Sequence, residues 1–363
     1  MTPTPRTVPF LDDRTAMTKL DTSNAFGSIE MLGSQVQQIW NLAKKLEFPR
    51  EYRHVKNVVV AGMGGSALGA HAIQTIFKDV LKVPIVIAPD YTVPNYVNSE
   101  TLVIASSYSG TTEETLAAVA DAHQKGAKIA GITSGGKLAT FLQQHSYPAL
   151  VFTPDFNPCQ QPRMALGYSI FGQMVLFAQA GVLNIGEQDY QDVLQTIADA
   201  HLAYGIGVTQ EQNAAKILAF EMKERLPIIT VAEHLEGMGH IFANQLNENA
   251  KTYSEYRVIP ELNHHLMEGL RFPTTNEHNL LFLMVDSALY TQQNRKRLTL
   301  TGQVLTKNHV EFREFTAEGK SKLTSAFHLM VFGAYTNLYL AMLNALDPSP
   351  IPWVDWFKKE LAK

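Results

Sequence analysis

In the stretch 105–116, ASSYSGTTEETL, four small hydroxyl side chains, Ser107, Ser109, Thr111 and Thr112, crowd around Gly110. The apolar run Leu102, Val103, Ile104 before them reads as a buried parallel strand, and Glu113 and Glu114 begin a helix with Leu116, Val119 and Ala120 on its face. A turn between strand and helix leaves backbone N–H groups pointing outward at the positive end of the helix dipole, with hydroxyls beside them. That is a cradle for phosphate. The plainer reading is helix capping, but capping needs one hydroxyl and this turn supplies four.

A second strand-to-helix turn, GMGGSALGAH, lies upstream. Gly62, Gly64 and Ala67 satisfy the dinucleotide pattern G-x-G-x-x-[GA], and Asp90 closes the next apolar strand, later than the usual acidic position. Gly64, Gly65 and Ser66 could equally bring backbone and hydroxyl donors against a sugar phosphate, and a third reading is a tight turn that only requires glycine.

The second half supplies acid and base candidates. Glu248 lies in NQLNENAK, near the end of a helix among amides and small residues, and His264 and His265 lie in the turn PELNHHLMEG after a strand. A glutamate can move a carbon-bound proton, and a histidine can protonate a ring oxygen near neutral pH. Read without further support, Glu248 is a solvated helix residue and His264 a loop histidine. Arg163, among three prolines and a glutamine pair, is either an exposed helix start or a ligand for an anion. His234, His240, His264 and His265 fall close together with Glu233 and Glu236, but their spacing does not match H-E-x-x-H and no cysteine lies nearby, so no metal is expected.

The elements that must position these residues follow from the apolar pattern. Strands are expected at 57–61, 84–88, 102–104, 127–132 and 149–152, with a turn at 134–136 and helices between them, a rhythm that predicts a parallel sheet covered on both faces. Ligands of such sheets sit at the carboxyl ends of strands. Helices follow at 163–177, 187–202 and 210–225. A second unit has strands at 227–232, 254–259, 280–285 and 310–315, a helix at 237–250 and long helices to the end. The recurring rhythm suggests two similar domains, 51–205 and 206–363, behind an N-terminal arm and helix, 1–50. Residues 1–24 read as a loose arm, and 29–46 as an amphipathic helix with Met31, Leu32, Val36, Ile39, Leu42 and Ala43 inward.

The 363 residues carry a net charge of −4 with both signs dispersed, which argues against a nucleic-acid or polybasic membrane surface. The single cysteine, Cys159, excludes an internal disulfide and reads as a small apolar residue. The N-terminus has no continuous apolar core, so a cytoplasmic location is expected. Residues 326–346 are long enough to span a bilayer and carry no charge, but His328, Thr336, Asn337 and Asn344 favour a buried interface helix.

In order, GMGGSA, SYSGTTEETL, QPRMALGY, NENAK, PELNHH and DPSPIPWVDWFKKEL resemble the bifunctional phosphoglucose/phosphomannose isomerase family of sugar isomerase (SIS) domain proteins, from residue 55 to the C-terminus. The resemblance implies an α/β fold of two SIS domains, each a parallel sheet flanked by helices in a flavodoxin-like three-layer sandwich. It implies a homodimer with a shared active site and neither metal nor organic cofactor. By the same resemblance Ser107, Ser109 and Thr112 bind phosphate and Gly64, Gly65 and Ser66 lie near the sugar. Glu248 is the catalytic base, Arg163 stabilises the enediolate, and His264 from the partner subunit and Lys358 open the sugar ring, with Lys359 the alternative lysine. Two departures touch specificity: His265 replaces the usual asparagine after His264, and GGSALGAH lacks the acidic residue that usually closes that turn. Three function classes remain: a phosphosugar isomerase, a non-catalytic phosphosugar sensor, and a nicotinamide-dependent oxidoreductase resting on Gly62, Gly64, Ala67 and Asp90.

Overall fold

The computed structural model describes residues 10–361 and 363. Five parallel strands, β1 (Asn57–Gly62), β2 (Ile85–Ala88), β3 (Thr101–Ser106), β4 (Lys128–Thr133) and β5 (Ala149–Val151), form one sheet in the order β2-β1-β3-β4-β5. Four more, β6 (Leu226–Ala232), β7 (Glu255–Ile259), β8 (Leu280–Asp286) and β9 (Glu311–Thr316), form a second in the order β7-β6-β8-β9. Strand β3 is buried along its whole length, as a parallel strand covered on both faces must be. In each sheet the order reverses beside the first strand, and such switch points are where open α/β sheets hold ligands. The register pairs Gly62 with Ser106, so the glycine and hydroxyl turns emerge side by side.

The two sheets share one core. The helix Lys322–Leu343 is its axis, packed against Glu187–Tyr204, Ala214–Met222 and Glu236–Glu248. It contains most of the charge-free segment, and 89% of its most apolar window is buried in protein. It is a core helix. The helix Glu236–Glu248 also crosses Leu68–Ile76 of the first unit, and a Cβ on Gly237 would meet the His71 carbonyl oxygen at 2.5 Å. Only glycine allows that approach.

Several expectations need correction. The helix expected at 29–46 is two, Ala25–Glu30 and Leu32–Ala43, broken at Met31, which points outward at 39% exposure. The described part of the arm is not loose: Leu11 and Met17 are fully buried, and Asp12 meets the buried Lys216 ammonium at 3.1 Å. Residues 1–9 lie outside the described residues. Arg163 does not open a regular helix but sits in a 3-10 turn, Pro162–Met164, before a π-helical turn, Gly167–Phe171. Of the helix expected at 210–225, only Ala214–Met222 is α-helical, capped by Asn213. The polar helix Gln292–Lys307 was not foreseen, since only Leu298, Thr301, Gly302 and Leu305 of it are buried and they make a thin apolar stripe.

Candidate active site

The hydroxyl turn closes on itself. Ser107 is buried, its Oγ lies 2.9 Å from the Thr112 Oγ1, and it accepts the Gly110 N–H at 3.1 Å. The Ser109 and Thr111 hydroxyls meet at 3.0 Å. Gly110 has φ +66, and a Cβ there would lie 1.8 Å from the Gly135 carbonyl oxygen, so the tight turn demands glycine. Thr112 occupies the N-cap of the helix Glu113–Gln124 but makes no side-chain cap bond, because its hydroxyl is turned to Ser107. Capping therefore does not account for these hydroxyls. The first turn of this helix carries the positive pole of its dipole.

The glycine turn is sewn to it. Ser66 Oγ accepts the Tyr108 N–H at 3.0 Å, and the Ser66 carbonyl accepts from Ser106 Oγ and Gln173 Nε2, each at 2.8 Å. Gly64 has φ +48, and a Cβ on Gly65 would meet the Arg163 backbone nitrogen at 3.0 Å. The turn and the arginine segment are thus in direct contact. Beside the hydroxyls lies a cleft of about 670 Å³ lined by Ser109, Ser134, Asn157 and Gln160. The strand order is that of flavodoxin-like sheets rather than of the dinucleotide-binding kind, and the exposed Asp90 carboxylate turns back on the Tyr91 N–H at 2.6 Å.

Arg163 is 2% exposed and has no idle donor group. Nη2 donates to the Pro348 and Ser349 carbonyls at 2.8 and 2.7 Å, Nη1 to Gln161 Oε1 at 2.9 Å, and Nε to Asn249 Oδ1 at 2.5 Å. Nη1 also faces Glu248 Oε2 at 3.4 Å. Burial pushes the guanidinium below its ordinary pKa, opposed first by Glu248. A closed ring of buried amides holds this arrangement. Asn249 Nδ2 donates to Asn337 Oδ1 at 2.7 Å, Asn337 Nδ2 to Gln245 Oε1 at 3.1 Å, and Gln245 Nε2 to the Arg163 carbonyl at 3.0 Å. The Arg163 Nε–Asn249 bond completes the circuit. Each amide has one possible orientation in such a ring, so the arginine is pinned from both its main chain and its side chain.

The sequence reading missed Gln245 and Asn249 as partners of Arg163, and Asn337 as the residue that links them. The signal was present as the amide-rich NQLNENAK and as a lone asparagine in an apolar helix. Lys251, in the same motif, was missed too: its Nζ donates to the Glu248 carbonyl at 2.7 Å and the Pro348 carbonyl at 2.9 Å.

Glu248 and Arg163 are brought together, with the glycine turn against the Arg163 backbone. Among the described residues no hydrogen bond or ion pair joins His264 or Lys358 to them. Glu248 ends the helix that leads into β7, whereas exposed His264 sits on the turn Leu262–His265 beyond its other end. The five residues of β7 span about 17 Å at ~3.3 Å each. Lys358 and Lys359 lie on the exposed terminal helix Pro352–Leu361. His265 is also exposed, 3.9 Å from Glu261. Among the described residues no three His, Cys, Asp or Glu side chains are grouped to hold a metal ion: His234 is buried beneath Ser287 and Ser325, and His240 stacks on Tyr256.

Two parallel sheets, each with its switch point beside the first strand, and a hydroxyl turn at one of them define a protein built of two SIS domains. The family described as "SIS domain" matches residues 51–146, and that described as "Bacterial phospho-glucose isomerase C-terminal SIS domain" matches residues 211–361. The bifunctional phosphoglucose/phosphomannose isomerase of Caldicellulosiruptor bescii is 33% identical over 93% of this chain and 99% of its own. That of Thermoplasma acidophilum is 29% identical over 90% of this chain and 97% of its own. The crystal structure of a hypothetical protein from Thermus thermophilus shares the fold with a TM-score of 0.73 at 17% identity, over 98% of this chain and 95% of that one. The chain belongs to the bifunctional phosphoglucose/phosphomannose isomerase family and is an isomerase.

Proposed function

We propose that this enzyme interconverts glucose 6-phosphate, mannose 6-phosphate or both with fructose 6-phosphate through a cis-enediol. The observation that carries the reading is the half-buried Glu248 carboxylate 3.4 Å from a pinned arginine, which in turn backs onto the glycine turn. Ser107, Ser109 and Thr112 hold the phosphate at the helix N-terminus, and Gly64, Gly65 and Ser66 face the sugar. This fixes the reacting carbons against Glu248. In the aldose-to-ketose direction the carboxylate takes the C2 proton as the C1 carbonyl becomes an enediolate oxygen facing Arg163. It then returns the proton to C1 while a proton moves from O2 to O1, leaving the C2 carbonyl. His264 and Lys358 serve ring opening. The span of β7 between Glu248 and His264 favours a histidine supplied by the partner subunit of a homodimer, so that the site closes only on assembly.

Incubation with fructose 6-phosphate in deuterated water, followed by NMR, tests this. Deuterium at C2 of glucose 6-phosphate or mannose 6-phosphate is the expected result and identifies the epimer. Bound substrate with neither exchange nor product would replace the isomerase by a sensor or by an isomerase of another phosphosugar.

A further inference from the structure

Lys251 lies three residues beyond the end of the Glu236–Glu248 helix with φ +53. Such a left-handed position costs a non-glycine residue about 1 kcal/mol or more, and glycine or asparagine commonly fills it at helix ends. The lysine side chain here makes bonds that glycine could not. Its ammonium binds the Glu248 carbonyl and the Pro348 carbonyl at once, with the Asn249 carbonyl at 3.5 Å. A simple C-cap would need only the helix carbonyls. Pro348 is the unusual partner, because its oxygen also receives Arg163 Nη2 at 2.8 Å, so two cations share one carbonyl. That carbonyl lies four residues before the terminal helix Pro352–Leu361, which has no buried residue of its own. Burial, followed by repulsion from Arg163, pushes the Lys251 ammonium down to about 8, against the attraction of Asp347 and Glu248.

We propose that Lys251 is a positioning residue for the isomerisation: it ties the main chain of the base, Glu248, to the segment that carries Lys358, and so sets the two groups at working distance. The inference rests on the isomerase reading for the roles of Glu248 and Lys358. Arg163 holds the same segment but is locked to the amide ring, whereas Lys251 bonds directly to both the Glu248 and the Pro348 main chain. Both carbonyls are reached by one flexible ammonium, and a guanidinium could bridge them in its place.

The test uses the full chain with Lys251→Met and Lys251→Arg, and Glu248→Gln as control. Kinetics are read beside hydrogen–deuterium exchange of peptides covering residues 347–361 and 236–249. In Lys251→Met, kcat should fall about 10²-fold, the scale of a small misplacement of a catalytic group, with KM within about threefold. Exchange should rise in 347–361 and stay unchanged in 236–249, and Lys251→Arg should restore most of both. Should the methionine variant not fold, Lys251→Gln, which keeps a neutral donor, is read in the same way. Unchanged exchange in 347–361, unchanged kcat, or equal loosening of both peptides would overturn the role of Lys251. Retained turnover in Glu248→Gln would overturn Glu248 as the base, on which the inference rests, and leave the exchange result standing.

Discussion

The two switch points of this molecule have the same topology and opposite contents. In the first, the turn after β1 opens on Gly64 at φ +48 and the turn after β3 presents hydroxyls above a helix N-terminus. In the second, the turn after β6 opens on Glu233 at φ +46, and the chain fills its own anion position. The Glu233 Oε1 accepts the Thr291 N–H at 2.8 Å, the Thr291 hydroxyl at 2.6 Å and Asn294 Nδ2 at 2.7 Å, at the start of Gln292–Lys307. Burial works to raise the pKa of this carboxylate, but those donors hold it below the ordinary value. At the second turn an internal carboxylate is bonded to the residue that caps the helix; at the first the hydroxyls are bonded to one another, and the proposed phosphate would take that helix N-terminus. Parallel α/β architecture makes an anion site available at each switch point, and the side chains of the turns decide whether a ligand can use it.

Four changes break or sharpen that comparison. Glu248→Gln keeps shape and removes the base, so kcat should fall by about 10³-fold or more while isotherms still show substrate binding. Equal loss of binding would make Glu248 structural. Ser109→Ala at the open turn removes one donor to a charged group, and KM should rise about tenfold with kcat nearly kept; unchanged kinetics would take Ser109 out of the phosphate site. Acidification should act on the fold. His71, His201 and His234, the last under the filled turn, are each pushed down to about 4, chiefly by burial, from an ordinary 6.5. The unfolded chain then binds more protons between pH 6.5 and 4, so the melting temperature should fall as pH drops through that window. A flat profile would contradict the neutral buried state. The smallest effect belongs to Glu233→Gln: a loss of about 1–2 kcal/mol in chemical denaturation with steady-state kinetics unchanged. A change in KM would mean that the second turn takes part in substrate binding.

Much of the fold was legible because it is written locally. The nine strands among the described residues lie within about two residues of the positions expected from apolar runs and turn residues, as is usual when pattern and chemistry agree. The two turns stood out for the same reason. The break at Met31 was hidden because the apolar period continues through it, and Gln292–Lys307 because its buried face is narrow.

The candidate site was legible as residue types without their wiring. Glu248 and Arg163 were chosen from motifs, but the ring through Gln245, Asn249 and Asn337 joins residues 86 positions apart at its Arg163–Asn249 bond and 88 at its Asn249–Asn337 bond. The sequence by itself determined two parallel sheets, a hydroxyl-rich turn on the first and an amide-rich helix end on the second, since each depends on neighbours within a few residues. How the turns at the two switch points are bonded, which carboxylate faced the arginine and which carbonyl Lys251 shared with it were decided only by tertiary structure. Hydrogen bonds between distant segments have no sequence period; they exist where packing brings buried polar groups within reach of one another.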